Sequence, residues 1–339
     1  MKKYKILLAC LKADFGESGI EKYSPNGEFI NPSWEYMNLY LAWKQLADEG
    51  LIELETHWVD QQSDALGLER LISLAKDSTM VWQCPVTHAL GIHLPQARQI
   101  IDNGTSICSF HPDIHMRWNH SSGDGFVKSR IDEGYDTHLL SPAKHMIKPL
   151  RDYGIRVALM PFGIPSWCDR QLDVDRKYDV TFVGQKHGIR EQVVSQLRGA
   201  GIKVDTWGHF WPAHSDHHGR PGGAEMAEIF NQSKVNLNLR WCSRDPNHGQ
   251  IKGRDFELLG CGAFMVASQH VECDDLHELY SPVSEFAEYH FVDEMVEGIK
   301  SYLEDDIARN AMAFNAYQKR EANLWTTRFR QFMDDWGTW

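Results

Sequence analysis

Gln250-Ile251-Lys252-Gly253-Arg254-Asp255-Phe256-Glu257-Leu258-Leu259-Gly260-Cys261-Gly262-Ala263-Phe264-Met265-Val266-Ala267-Ser268 is the stretch on which the fold turns. Arg254 and Glu257 are three apart, so a helix puts both on one face, where they reach the same ligand. Gly260 and Gly262 predict where that helix stops, because glycine accepts the left-handed backbone of a C-terminal cap. Ala263 to Ala267 follow as a short apolar run of the kind that makes a buried parallel strand. Charge ahead of a short helix, a glycine stop and then a buried strand is how an α/β sheet edge presents a phosphate site. A surface helix with a solvated ion pair explains the same spacing, and both readings stay open at this point.

Outward from this stretch the chain alternates strand-like and helix-like segments. Lys5 to Leu11, Leu54 to Val59, Met80 to Cys84, Thr105 to Phe110 and Arg156 to Met160 read as strands in the first half. Tyr178 to Val183, Lys203 to Trp207 and Val235 to Leu239 continue the series in the second half. Helical spacing separates them, and repeated β-α units predict parallel, doubly wound sheets. Asn31-Pro32 reads as a cap with proline at the first helical position, and Asp293 as the cap of a later helix. Pro161-Phe162-Gly163-Ile164-Pro165 continues neither element type and divides the chain. The expected domains are 1–162 and 163–323, both Rossmann-like and facing each other across a cleft. The apolar tail, with Leu324, Trp325, Phe329, Phe332 and Trp336 on helical spacing, is expected to return to the first domain as part of it (324–339).

Length agrees with this division, since 339 residues exceed one ordinary domain. A net charge of −12 argues against gripping nucleic acid through the overall field. Seven cysteines without paired spacing read as reduced, buried thiols. Ile6 to Leu11 is too short for a signal-peptide core, and no apolar run reaches membrane-spanning length, so a cytoplasmic protein is expected. Twelve tryptophans point to bulky cores or stacking surfaces.

Candidate site residues fall in three places. Gly184-Gln185-Lys186-His187-Gly188 follows a strand and precedes a helix, where backbone N–H groups suit a phosphate or a hydroxyl. A plain β-α turn also favours glycine there. His111, Asp113 and His115 follow a first-half strand and suit contact with a polar substrate, any of them as a base. A polar loop capping the next helix is the competing account. A metal on these histidines, or on His214, His217 and His218, is not expected, because both stretches read as loops without a rigid supporting shell. Asn236 and Asn238 share one face of their strand and are expected to bond neighbouring loops. No serine elbow, Walker lysine loop, HExxH helix or GxGxxG turn after the first strand is present.

Several motifs in order resemble the CgeB-like glycosyltransferases, a branch of the group 1 glycosyltransferases with the GT-B fold. They are Tyr178 to Gln185 with Arg190, Ser233 to Asn238, Gln250 to Glu257, and Cys261 to Phe264; Tyr302, Leu303 and Arg328 fall where that family ends its helices. Pro32 to Tyr36 and Tyr135 to Leu139 are looser matches. The resemblance implies a nucleotide-sugar donor, a UDP-sugar first, held by the second domain, and an acceptor approached from the first. It implies Lys252 and Arg254 on the diphosphate, Glu257 on the ribose hydroxyls, and Gly184 and Gln185 beside the donor. It implies transfer without a metal or other cofactor. Related retaining enzymes carry a second glutamate eight positions before the ribose-binding one, where this chain has Gly249. Retention is therefore only a leaning.

The expected function is sugar transfer to a hydroxyl on a glycan, metabolite, protein or hydroxymethylated DNA base, with DNA disfavoured by net charge. An epimerase or hydrolase on the same fold, and a non-catalytic sugar-nucleotide module, are the alternatives.

Overall fold

A computed structural model of the protein describes residues 4–11, 34–59, 65–84, 92, 94–112, 126–212, 214, 216–241 and 249–336. The chain divides into two units, one of residues 1–161 with 325–339 and the other of 162–324.

In the first unit, runs of apolar residues buried on both faces form a parallel sheet. Its strands are β1 (Tyr4–Leu11), β2 (Ile52–Val59), β3 (Met80–Gln83), β4 (Ser106–Phe110), β5 (His138–Ser141) and β6 (Val157–Leu159), in the order β2-β1-β3-β4-β5-β6. Ile6, Leu7, Leu8 and Ala9 are all buried, as expected of a strand covered by helices above and below. Leu7 lies opposite Val81 across the central pairing. The helices are α1 (Trp34–Asp48), α2 (Ala65–Lys76), α3 (Leu94–Asp102), α4 (Phe126–Asp132) and α5 (Lys144–Asp152). The cap expected at Asn31-Pro32 lies outside the described residues. β5 is a strand that the apolar runs of the first half do not include. It begins with a buried histidine, which masks the apolar run.

The second unit repeats the plan. Its strands β7 (Tyr178–Val183), β8 (Val204–Trp207), β9 (Ser233–Asn238), β10 (Met265–Ser268) and β11 (Ala287–Tyr289) pair in parallel in the order β11-β10-β9-β7-β8. Its helices are α6 (Arg190–Gly199), α7 (Gly223–Asn231), α8 (Gly253–Gly260), α9 (Val292–Glu304) and α10 (Asp306–Gln318). Helix α9 is capped at Phe291, so Asp293 sits in its first turn rather than at the cap, where its charge still favours the positive end. Asn236 accepts from the Thr181 hydroxyl (2.9 Å) and donates to the Phe230 and Phe264 carbonyls, so this amide holds strand to helix and loop.

Both sheets start in the middle, step outward on one side, and then return across the first strand to grow the other way. Right-handed crossovers then place helices on both faces, and the reversal points are β1/β3 and β7/β9. Ligands of such sheets bind beyond the strand carboxyl ends at the reversal point.

The last helix, α11 (Trp325–Asp335), belongs to the first unit because of what it buries. Phe329 stacks on Trp43 with centroids 3.9 Å apart, and Trp325 meets Phe110 edge-on at 5.6 Å. Cys84, Cys108, Cys168, Cys261 and Cys273 are free and buried, in keeping with reduced thiols. Among the described residues no helix is long and apolar enough to cross a membrane.

Candidate functional site

The reversal point of the second sheet lies between the loop after β7 and the end of β9. Gly184 follows β7 and is pinned from both sides. Its N–H donates to the Trp207 carbonyl (2.8 Å), and its own carbonyl accepts from the Trp211 indole (2.8 Å). A Cβ at Gly184 would fall 2.9 Å from the buried Phe182 ring, so a side chain there fits only if that ring shifts. Gln185 is exposed beside it. Arg190, at the start of α6, donates to the Gln185 carbonyl (3.1 Å) and reaches the Trp241 carbonyl (3.5 Å) just past β9. One guanidinium thus ties together the two loops that flank the reversal point.

From Trp241 the contacts continue to the opening stretch. Trp241 and Gly249 form an antiparallel bridge, and the Gln250 N–H donates to the Arg240 carbonyl (3.0 Å). The Gln250 amide oxygen then accepts from Lys252 Nζ (2.8 Å). Gly184, Gln185, Lys252 and the start of α8 therefore belong to one edge of one sheet.

Helix α8 begins as the spacing suggests and stops at Gly260, with Gly262 at φ +64° beyond its end. It is no solvated surface helix, because every residue from Asp255 to Gly260 is buried. Arg254 and Glu257 pair at 2.6 Å, with side chains 20% and 7% exposed. The Arg254 guanidinium also lies over the Phe230 ring, 4.9 Å from its centroid. Lys252 is the N-cap, and its N–H donates to the Asp255 carboxylate (2.8 Å). The helix start thus carries two partly exposed cations at the positive end of the helix, an arrangement suited to an anion. Burial, together with the Glu257 charge, pushes the Cys261 thiol up to about 12, so that cysteine is a packing residue.

Three residues that sequence reasoning passed over build the floor. Asp255 and Arg240 are fully buried and pair at 2.7 Å, and Arg240 also meets Glu288. Asp255 therefore neutralises a buried arginine with one oxygen and caps α8 with the other. The third is His270, just past β10. Its ring fills the space beside Gly249, and a Cβ on Gly249 would fall well inside contact distance of it. Position 249 has no room for a carboxylate while this imidazole is there.

In the first unit His111 follows β4, but its ring is 1% exposed and lies 3.7 Å from Asp136. Asp136 also takes Arg130 (3.1 Å), the Ser109 hydroxyl (2.5 Å) and the Gln83 amide (3.0 Å). Burial alone would raise the Asp136 carboxyl, yet Arg130 and His111 outweigh it and hold the group well below the usual carboxylate range. Enclosed in this way, His111 makes no contact with solvent of the kind an acceptor base needs. Asp113 and His115 lie outside the described residues. His218 bonds Asp205 at 2.7 Å and His214 lies near Asp216. Among the described residues no group of three or more histidine, cysteine or acidic side chains is arranged to hold a metal.

Residues 187–334 match the model of a family described as glycosyl transferase-like. No curated protein matches the chain in sequence. Among solved structures the chain is similar to Anabaena HepE in complex with UDP-glucose. The TM-score is 0.62 at 11% identity, over 99% of this chain and 100% of that one. An alpha-glucosyltransferase in complex with UDP and a 13-mer DNA is similar at a TM-score of 0.63 and 11% identity, over 98% of this chain and 99% of that one. A Listeria monocytogenes protein provisionally assigned as a UDP-N-acetylglucosamine 2-epimerase follows at 0.53 and 12% identity, over 99% and 96%. At these identities the likeness shows the fold, which is GT-B: two parallel α/β units in one chain.

Proposed function

We propose that the protein is a glycosyltransferase of the CgeB-like branch, moving a sugar from a UDP-sugar held by its second unit to a hydroxyl acceptor. The observation that carries this reading is the start of α8. Lys252 and Arg254 stand there with Glu257 on one helix, at the carboxyl edge of the sheet beside its reversal point. A departing nucleoside diphosphate gains negative charge as the glycosidic bond breaks, and cations already in place stabilise it. With two such cations the transfer needs no metal. Glu257 takes the ribose hydroxyls, and the Gly184-Gln185 turn borders the donor.

The match of residues 187–334 to a glycosyl transferase-like family supports this reading, as do neighbours of the same fold in complex with UDP or UDP-glucose. Retention of configuration is part of the proposal through the resemblance to retaining enzymes, with a group other than a residue-249 carboxylate beside the sugar. Asp113 and His115 are the acceptor-side candidates for a base. One structural neighbour is bound to DNA, but a net charge of −12 weighs against nucleic acid as the acceptor here.

Calorimetric titration with UDP and UDP-glucose, in EDTA, tests the core of the proposal. Both ligands are expected to bind. Lys252→Ala and Glu257→Ala are each expected to weaken binding by about 10- to 100-fold, the loss of one charge-assisted hydrogen bond. Wild-type protein that binds no nucleotide or nucleotide sugar, or variants that bind like wild type, would overturn it. Donor turnover without any acceptor, followed by NMR, would favour the epimerase or hydrolase alternative instead.

A further inference from the structure

Phe210 stands out on the same sheet edge. It is one of two non-glycine residues with positive φ among the described residues, at +68°, and its side chain is 76% exposed. Positive φ in a bulky residue is strained backbone and persists only where the surroundings impose it. Leaving the ring in water also forgoes the gain that burial would bring. Among the described residues the phenyl ring meets the exposed ring of His209, 5.8 Å away and tilted, and it stays open to solvent. The other such residue, Val283, lies in a turn ahead of β11, at the opposite edge of the sheet.

The surroundings that impose this conformation are rigid and adjoin the proposed donor site. Phe210 sits in the loop after β8, between two anchored neighbours. On one side Gly208 (φ +128°) packs its backbone against the Gly184 carbonyl, closely enough that no side chain fits. On the other side Trp211 is buried, donates its indole N–H to that same carbonyl (2.8 Å), and meets Phe182 edge-on at 5.6 Å. The Lys186 N–H closes the contact on the His209 carbonyl (3.0 Å). The loop is therefore locked onto the Gly184-Gln185 turn, and Phe210 is pushed outward from it with its aromatic ring in the open.

We infer that Phe210 is the stacking platform for the nucleobase of the donor. This rests on the reading of the second unit as a nucleotide-sugar site, and adds to it the residue that takes the base. A planar aromatic ring held at the rim of an anion site offers a face that any base can stack on, without hydrogen-bond readout.

Phe210→Gly removes the ring and relieves the backbone together, so the two readouts separate function from folding. Expected results are an unchanged or raised melting temperature and UDP affinity reduced by about 10-fold, within the range of one lost base–aromatic stack. Phe210→Tyr is expected to keep the wild-type affinity. Competition by inorganic pyrophosphate, which has no base, is expected to be the same in all three proteins. The inference is overturned if Phe210→Gly binds UDP within twofold of wild type, or if pyrophosphate competition falls in parallel. Wild-type protein that binds neither UDP nor GDP would overturn the nucleotide-site reading itself, which is a different outcome from loss at Phe210 alone.

Discussion

Gly249 and His270 interlock, and the consequence can be measured one atom at a time. A Cβ at position 249 would enter the His270 ring, which is itself edge-on to Trp241 at 5.3 Å and has nowhere simple to go. Gly249→Ala is expected to destabilise the second unit by about 2 kcal/mol, the scale of overpacking in a filled interior. In a His270→Ala background the same change is expected to cost less than half as much, and a double-mutant cycle by urea denaturation checks it. Equal costs in the two backgrounds would show that the pair does not interact. At this scale the sequence gives the position of Gly249 in its motif but not its cause, because His270 is distant in the chain. Phe210 is harder still: nothing in its neighbours' identities announces a positive φ.

At the scale of the element, α8 shows which signals are local and which are not. Its stop at Gly260 and Gly262, the strand that follows, and the shared face of Arg254 and Glu257 are all within a few residues of one another, and sequence spacing suffices for them. The Asp255–Arg240 pair is fifteen residues apart and meets only through the β9-to-α8 excursion, so spacing could not reveal it. Its energetic weight is nevertheless larger. Asp255→Asn leaves Arg240 buried with less compensation, and is expected to cost about 3 kcal/mol by denaturant titration. Replacing both partners together by apolar residues, Arg240→Met with Asp255→Leu, is expected to recover part of that loss while weakening UDP binding, because the cap that holds Lys252 is gone. A double variant no more stable than Asp255→Asn would contradict the buried-pair account. Short elements were the other blind spot: β11 has three residues, too few for a period-two pattern to register.

At the scale of the whole molecule, two sheets that share a strand order over five strands, the first with a sixth added, carry different cores, and the tryptophan-rich one depends on a late segment. Phe329 is fully buried between Trp43 and Trp82, stacked on the first and edge-on to the second at 5.2 Å. Phe329→Ala is expected to cost about 3–5 kcal/mol, as for other buried aromatic truncations. The loss should fall on the first unit alone, so tryptophan fluorescence in urea would show its transition moving to lower denaturant while UDP-dependent stabilisation of the second unit persists. A single transition shifted as a whole would mean that the units unfold together. The α/β class and the parallel alternation were legible from periodicity, since continuous apolar runs and amphipathic helices are written residue by residue.

Because α11 is drawn from residues after the whole second unit, the ribosome delivers the two sheets out of order of completion. β1 to β6 emerge first, yet Trp43 and Trp82 wait uncovered until residue 325 and beyond have been made. At ordinary translation rates that is a delay of roughly ten to thirty seconds, during which the second sheet can close. A nascent chain paused in that interval presents an aromatic surface to whatever holds unfinished proteins in solution.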